Sequence, residues 1–329
     1  MSSSIRIAIL DDYQGVALTS ADWSSIQAKA TVEVIHEALG DNTDVVVDRL
    51  KEYDIICAMR ERTKFTQTVL DKLPRLKLLN TTGMRNLGID VVFARSKGIE
   101  VCGTTYGPGG VASFNTTEHI WALILAVTRH IVTEDANVKA HNPQWQTVVP
   151  TGIAGKTLGL LGCGRLGSDV GRIAKAFHMR VLGWSPHLTP ERAAEAGVEL
   201  AASKEALFAE ADVVSIHLIS VPATYGIVGR KELDLMKPTA YLINTSRGPL
   251  VDEDALVDVL KDGGIRGAGL DVYNVEPLPL DHPLRDLRNV TLSPHNGYVS
   301  DSSYSSFFPE TVENILAFWE GKPKRQLFE

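Results

Sequence analysis

The stretch KTLGLLGCGRLGSDVGRIAKAF, Lys156 to Phe177, decides how this chain is read. An apolar run leads into three glycines, Gly162, Gly164 and Gly167, and then into a segment whose apolar residues recur with helical spacing. A strand that turns at once into a helix needs Gly162 for its tightness. A phosphate reaches the backbone only where Gly164 carries no side chain, and Gly167 lets helix and strand pack closely. The N–H groups at the start of the helix then point at the phosphates.

Glycine-rich turns are common, so the flanking sequence carries the assignment. Downstream follow MRVLGWS, the helix TPERAAEAG, VELA, the helix KEALFAEA, DVVSIHL, KELDLM, AYLINTS, the helix DEDALVDVL, GAGLDVY and NVTLSPH. Apolar, β-branched strands without polar alternation, separated by helices, predict a parallel sheet covered on both faces. Residues 5–103 repeat the alternation on a smaller scale, with IRIAILDDY, TVEVIHEA, DIICAMR, LKLLNTT and IEVCGTT as strands and no phosphate turn. Between the two regions, residues 109–140 read as one helix of about 30 residues, roughly 45 Å long at 1.5 Å per residue. Its apolar run IWALILAV is more hydrophobic surface than one domain needs, so this helix and the neighbouring loop carrying Trp145 are expected to form a dimer face. The amphipathic segment ETVENILAFWEGKP follows the last strand and is expected to return to the first region. The expected organisation is α/β throughout, with two doubly wound parallel-sheet domains. Residues 1–103 plus 297–329 form a substrate domain, and residues 104–296 form a dinucleotide-binding domain inserted into it.

With 329 residues, 44% of them hydrophobic, the chain is long enough for two cores. A formal net charge of −7 argues against nucleic acid or an anionic membrane as main partner, since both call for a basic face. Cys57, Cys102 and Cys163 are odd in number and lack metal-ligand spacing, so they read as reduced, buried thiols, and no metal is expected. The N-terminus passes straight into a strand without a secretion signal, and no transmembrane run is present, so the expected location is cytoplasmic.

Three ionisable residues lie just past the ends of predicted parallel strands, where open α/β sheets assemble their ligand crevice. Arg247 follows AYLIN, Glu276 follows GLDVY and His295 follows NVTLS. Singly, they also suit a surface salt bridge, a capping acid before Pro277 and a loop histidine. Together they suit one reaction. Reduction of a 2-keto acid needs a cation for the carboxylate and carbonyl oxygen, which Arg247 supplies, and a proton donor, which His295 supplies. A carboxylate such as Glu276 beside the imidazole favours its charged form.

The segments GCGRLG at 162–167, INTSRGPLVDEDAL at 243–256, GLDVYNVEP at 269–277 and SPHNGY at 293–298 make the chain resemble the D-isomer-specific 2-hydroxyacid dehydrogenase family, of the glyoxylate/hydroxypyruvate reductase kind, over nearly its full length. The resemblance implies a Rossmann nucleotide-binding domain inserted in a flavodoxin-like substrate domain, a homodimer, a small 2-keto or 2-hydroxy acid as substrate, and Arg247, Glu276 and His295 as the catalytic triad. It further implies a substrate loop at residues 81–90, where N–H groups near Gly83, Met84 and Arg85 hold the substrate carboxylate and Arg85 adds a charge. Arg60, directly after the strand in MRERT, is expected to line the same cleft. On the cofactor side the resemblance implies contacts from Arg165, Leu166, His217, Thr224, Thr245 and Gly297, with Asp271 near the nicotinamide amide. Tyr106, Trp145, Tyr298 and Phe307 are aromatic candidates for the substrate pocket.

Two departures stand out. Enzymes that prefer unphosphorylated NAD usually carry Asp or Glu at the end of the second strand, to bind the ribose 2′-hydroxyl. Here Ser185 occupies that position, and Ser185, His187 and Arg192 are able to donate to a 2′-phosphate, so NADP is expected ahead of NAD. Glu276 stands where formate dehydrogenases usually have glutamine, which weighs against that branch. A dinucleotide-sensing scaffold, like the corepressors that resemble this family, is the alternative from another class.

Overall fold

The computed structural model describes residues 5–107, 110 and 113–328. The chain forms two compact units, Met1–Ser113 with Val299–Glu329, and Phe114–Tyr298. In the first unit, strands β1 (Ile5–Ile9), β2 (Ala30–Val34), β3 (Ile55–Ala58), β4 (Leu78–Thr81) and β5 (Glu100–Cys102) alternate with helices α1 (Ser24–Gln27), α2 (Thr43–Leu50), α3 (Gln67–Asp71) and α4 (Val91–Ser96). The sheet is wholly parallel with order β2-β1-β3-β4-β5, the flavodoxin-like arrangement whose direction of growth reverses between β1 and β3.

The second unit opens with α5 (Asn115–Arg129) and α6 (Ile131–Lys139) and continues β6 (Thr157–Leu161), α7 (Arg165–Ala176), β7 (Arg180–Trp184), α8 (Pro190–Glu195), β8 (Glu199–Leu200), α9 (Lys204–Glu210), β9 (Val213–Ile216), α10 (Arg230–Leu235), β10 (Tyr241–Asn244), α11 (Glu253–Lys261), β11 (Gly267–Leu270) and β12 (Val290–Leu292). Its seven parallel strands run β12-β11-β10-β9-β6-β7-β8, and the order reverses between β6 and β9. Strands β6, β9, β10 and β11 are buried along their whole length, which is why they read as unbroken apolar runs. Thr189 starts α8 by accepting from Arg192 N–H with Pro190 at the first helical position, and Asp252 starts α11 by accepting from Ala255 N–H.

The chain end belongs to the first unit. Helix α12 (Asp301–Trp319) starts nine residues before ETVENILAFWEGKP and carries Pro309 inside it. Asn314 Nδ2 donates to Asn80 Oδ1 at 2.6 Å and to Gly103 O at 2.8 Å, and Asn80 Nδ2 donates to Thr311 Oγ1 at 2.9 Å, tying α12 to the end of β4.

Two expectations need correction. Residues 109–140 do not form one helix: His130, with φ +55°, breaks the segment into α5 and α6, and residues 109, 111 and 112 lie outside the described residues. The apolar run IWALILAV is not surplus surface either. Ile120, Trp121, Leu123, Ile124 and Val127 are buried within their own unit, and all but Leu123 join the core formed by β6, α7 and β10. No described helix is long and apolar enough to cross a membrane.

Candidate active site

The phosphate turn sits where β6 and β9 part. Gly162 has φ +108°, and a Cβ there would come within 2.8 Å of the His217 main chain, so only glycine permits strand β6 to turn beside the end of β9. Gly164 is the N-cap of α7 without any side-chain cap, and a Cβ on it would meet nothing within 4 Å. A helix start without a side-chain cap, beside open space at Gly164, is an anion site by geometry and by dipole. The turn therefore fits a dinucleotide pyrophosphate. Arg165 and Leu166 open the helix, while Gly167 is buried against Gly162.

Around this cradle the structure places the other expected contacts on the same sheet edge. Ser185 and His187 follow β7, and Arg192 Nη1 donates to His187 O at 3.3 Å, bringing a guanidinium to that strand end. His217 follows β9. Its Nε2 is buried without a hydrogen-bond partner among the described residues, and desolvation pushes its pKa down to about 4, so the ring is neutral. The hydroxyl of Thr224 serves its own turn, accepting from Val221 N–H and donating to Ile219 O at 2.8 Å. Thr245 is buried at the end of β10. Burial pushes the Cys163 thiol up to about 11 and those of Cys57 and Cys102 to about 12, which leaves all three unreactive near neutrality. No group of three or more His, Cys, Asp or Glu suited to a metal occurs among the described residues.

Arg247, Glu276 and His295 stand past the ends of the adjacent strands β10, β11 and β12. Arg247 Nη1 donates to Ser246 O at 2.6 Å, and Asn244 Nδ2 donates to Arg247 O at 3.0 Å. Gly248 lies so close to the Tyr273 main chain that a Cβ would overlap it, and this approach brings the Arg247 turn against the loop that carries Glu276. Glu276 Oε1 accepts from Tyr273 N–H at 2.9 Å, and its Oε2 lies 2.6 Å from His295 Nδ1. A carboxylate only accepts, so Nδ1 carries the hydrogen and Nε2 is left as the atom that exchanges a proton with a substrate.

His295 has φ +54°, a left-handed conformation that costs a non-glycine residue about 1–3 kcal/mol and persists only where surroundings impose it. Asp271 imposes it. Its main-chain carbonyl accepts from His295 N–H at 2.8 Å, and its carboxylate accepts from Asn296 N–H at 2.8 Å and Gly297 N–H at 2.9 Å. The resemblance puts Asp271 beside the nicotinamide amide. In the structure its side chain is 1% exposed and also meets Ser293 Oγ at 2.5 Å and His119 Nε2 at 3.0 Å. Burial alone would raise the carboxyl pKa, but these hydrogen bonds and the His119 charge outweigh it and hold the group below the ordinary value. His119 was not foreseen from the sequence.

The smaller unit carries its own cluster at the carboxyl end of its sheet. Arg60, with φ +52°, donates from N–H to Thr82 Oγ1 at 3.0 Å, and its guanidinium lies against the Cα of Gly83. Arg60 and the 81–85 loop are thus brought together. The N–H of Gly83 does not face open space as expected, because it donates to Thr104 Oγ1 at 2.9 Å. Those of Met84 and Arg85 make no hydrogen bond among the described residues. At the reversal point of this sheet Asp11, with φ +58°, is buried, and Arg62 Nη1 donates to its carbonyl at 3.0 Å. Of the aromatic candidates, Phe307 is core and Trp145 is exposed, while the Tyr298 ring meets the His295 ring edge-on at 5.8 Å.

A family profile described as the NAD binding domain of D-isomer specific 2-hydroxyacid dehydrogenases matches residues 121–297. The chain is 34% identical over 303 residues to a glyoxylate reductase of Korarchaeum cryptofilum, covering 91% of this chain and 90% of that one. It is also 34% identical over 300 residues to a D-3-phosphoglycerate dehydrogenase of Methanocaldococcus jannaschii, of which it spans only 56%. A crystal structure of a phosphoglycerate oxidoreductase from Vibrio cholerae superposes with a TM-score of 0.86 at 36% identity, over 96% of this chain and 99% of that one.

Proposed function

Because the chain belongs to the D-isomer-specific 2-hydroxyacid dehydrogenase family, and so is an oxidoreductase that interconverts 2-keto and D-2-hydroxy acids with a nicotinamide dinucleotide, we propose that His295 is its proton donor and Arg247 its substrate anchor. The observation that carries this reading is the 2.6 Å contact of His295 Nδ1 with Glu276 Oε2, on the sheet edge that also holds the phosphate turn. Gly162, Gly164 and the start of α7 would hold the dinucleotide, which would supply the hydride. His295 gives its Nε2 proton to the carbonyl oxygen, and solvent returns it afterwards. Arg247 pairs with the substrate carboxylate, while Glu276 orients the imidazole by accepting from Nδ1–H.

We further read the unit made of both chain ends as the substrate domain and the Phe114–Tyr298 unit as the dinucleotide domain. Within the first unit, Arg60 and the N–H groups of Met84 and Arg85 are its substrate-binding groups. At Ser185 no carboxylate repels a 2′-phosphate, and Arg192 folds back on the same strand end, so NADP is preferred to NAD. The protein works as a homodimer. The surface that supports this is α6 and the segment after it: no residue of α6 is buried, and Trp145 and Val149 are 75% and 82% exposed. Three unpaired cysteines agree with a cytoplasmic setting.

The test is a spectrophotometric screen of NADPH and NADH against glyoxylate, hydroxypyruvate, pyruvate and phenylpyruvate. Turnover of at least one keto acid is expected, and oxidation of neither cofactor with any member of the panel would contradict the reading.

A further inference from the structure

We infer that His119 is a positioning residue: acting through Asp271, it holds the turn that carries His295. The inference rests on the reading of His295 as proton donor.

His119 lies in the second turn of α5, 152 positions before Asp271, and its Nε2 is 3.0 Å from Asp271 Oδ1 and 2.9 Å from Ser293 Oγ. Ser293 has one hydroxyl hydrogen, and the 2.5 Å contact with Asp271 Oδ1 assigns it to that carboxylate. Toward His119, Ser293 Oγ therefore accepts, as Asp271 does, and Nε2 must carry a hydrogen that both neighbours share. The same Oδ1 takes the N–H of Asn296, the residue directly after His295, and Oδ2 takes that of Gly297. His119 also packs on this turn, since a Cβ on Gly297 would lie 3.9 Å from its Cδ2.

One buried carboxylate thus joins a helix side chain to the residues that hold His295 in its left-handed conformation. Without the His119 donor the carboxylate is left buried with one partner too few, and it satisfies itself by shifting or taking up a proton. Either change loosens the Asn296 contact next to the reacting imidazole. The phosphate turn, at the end of β6, lies three strands away from β11, so the loss falls on turnover more than on dinucleotide affinity.

The experiment measures kcat, substrate KM and NADPH Kd for His119→Leu, His119→Gln and Ser293→Ala, each also in a His295→Ala background, with glyoxylate or the most active keto acid of the panel. Leucine removes the donor, whereas glutamine returns an N–H at the reach of Nε2. His119→Leu is expected to lower kcat by about tenfold or more with KM and Kd changed less than threefold, and His119→Gln to stay within threefold of wild type. In the His295→Ala background, where there is no imidazole left to position, His119→Leu should cost less than twofold. Ser293→Ala, the milder change, should show a smaller loss of the same kind and carries the test if the leucine variant does not fold. The inference is overturned if the leucine and alanine variants both turn over within twofold of wild type. It is also overturned if the loss persists undiminished without His295, if it appears in NADPH Kd, or if glutamine fails along with leucine. A His295→Ala protein with near-normal turnover would instead overturn the reading of the proton donor itself, and this inference with it.

Discussion

His295 Nδ1 meets Glu276 Oε2 at 2.6 Å, although the two residues lie on separate loops nineteen positions apart. Tyr273 N–H holds the other carboxylate oxygen, and the Asp271 carbonyl holds the His295 main chain, so both partners are fixed from the end of one strand, β11. The imidazole is therefore oriented before any substrate arrives, with one nitrogen committed and the other available.

Replacing Glu276 by glutamine exchanges the charged acceptor of Nδ1–H for a neutral amide and so weakens the contact that orients the ring. Turnover in the reductive direction is expected to fall about 10²-fold, with cofactor affinity unchanged. Steady-state kinetics beside fluorescence titration of NADPH check this, and kcat within twofold of wild type would make Glu276 structural.

Cofactor choice turns on residue 185. Charge-assisted hydrogen bonds to a 2′-phosphate are worth about 1.5–3 kcal/mol each, roughly ten- to a hundredfold in specificity. The ratio of kcat/KM for NADPH over NADH should exceed one in the wild type and invert in Ser185→Asp. A wild type that strongly favours NADH would show that other groups select the ribose.

Acid should weaken the larger unit through His217. Its pKa falls from 6.5 to about 4 on folding, so between those values the unfolded chain binds the additional proton. The corresponding stability is complete above pH 6.5 and is lost as pH drops toward 4, by up to about 1.4 kcal/mol per pH unit. Urea unfolding from pH 7 to 4.5 should show a shallower decline for His217→Leu than for wild type. Parallel declines would mean that another group carries the acid sensitivity.

Light scattering of the wild type in dilute buffer should report about twice the chain mass of 35.8 kDa. Val132→Asp with Trp145→Ala should halve it, because a charge set into an apolar interface is buried unpaired. A monomeric, fully active wild type would remove the dimer.

Much of the fold was legible because strands buried on both faces are unbroken apolar runs, and because glycine at 162 is the residue that a turn at φ +108° demands. The positions of Arg247, Glu276 and His295 were legible as three ionisable residues at three strand ends. What escaped depended on contacts far apart in sequence. The break between α5 and α6 falls at a histidine in the left-handed region, with neither glycine nor proline to announce it. The run IWALILAV looked like spare surface only until β6, β10 and α7 were seen to cover it. His119 is one of five polar residues that open α5, and nothing near it in sequence points to Asp271. Likewise, the hydroxyl that takes the Gly83 N–H belongs to Thr104, twenty-one positions on.

Whether His295 donates the proton is decided by the turnover of His295→Ala with saturating keto acid and NADPH, alongside NADPH Kd. The account predicts kcat lower by about 10²-fold or more with Kd within threefold of wild type, the scale of a lost general acid. A variant that binds NADPH normally and keeps near-normal kcat would contradict it.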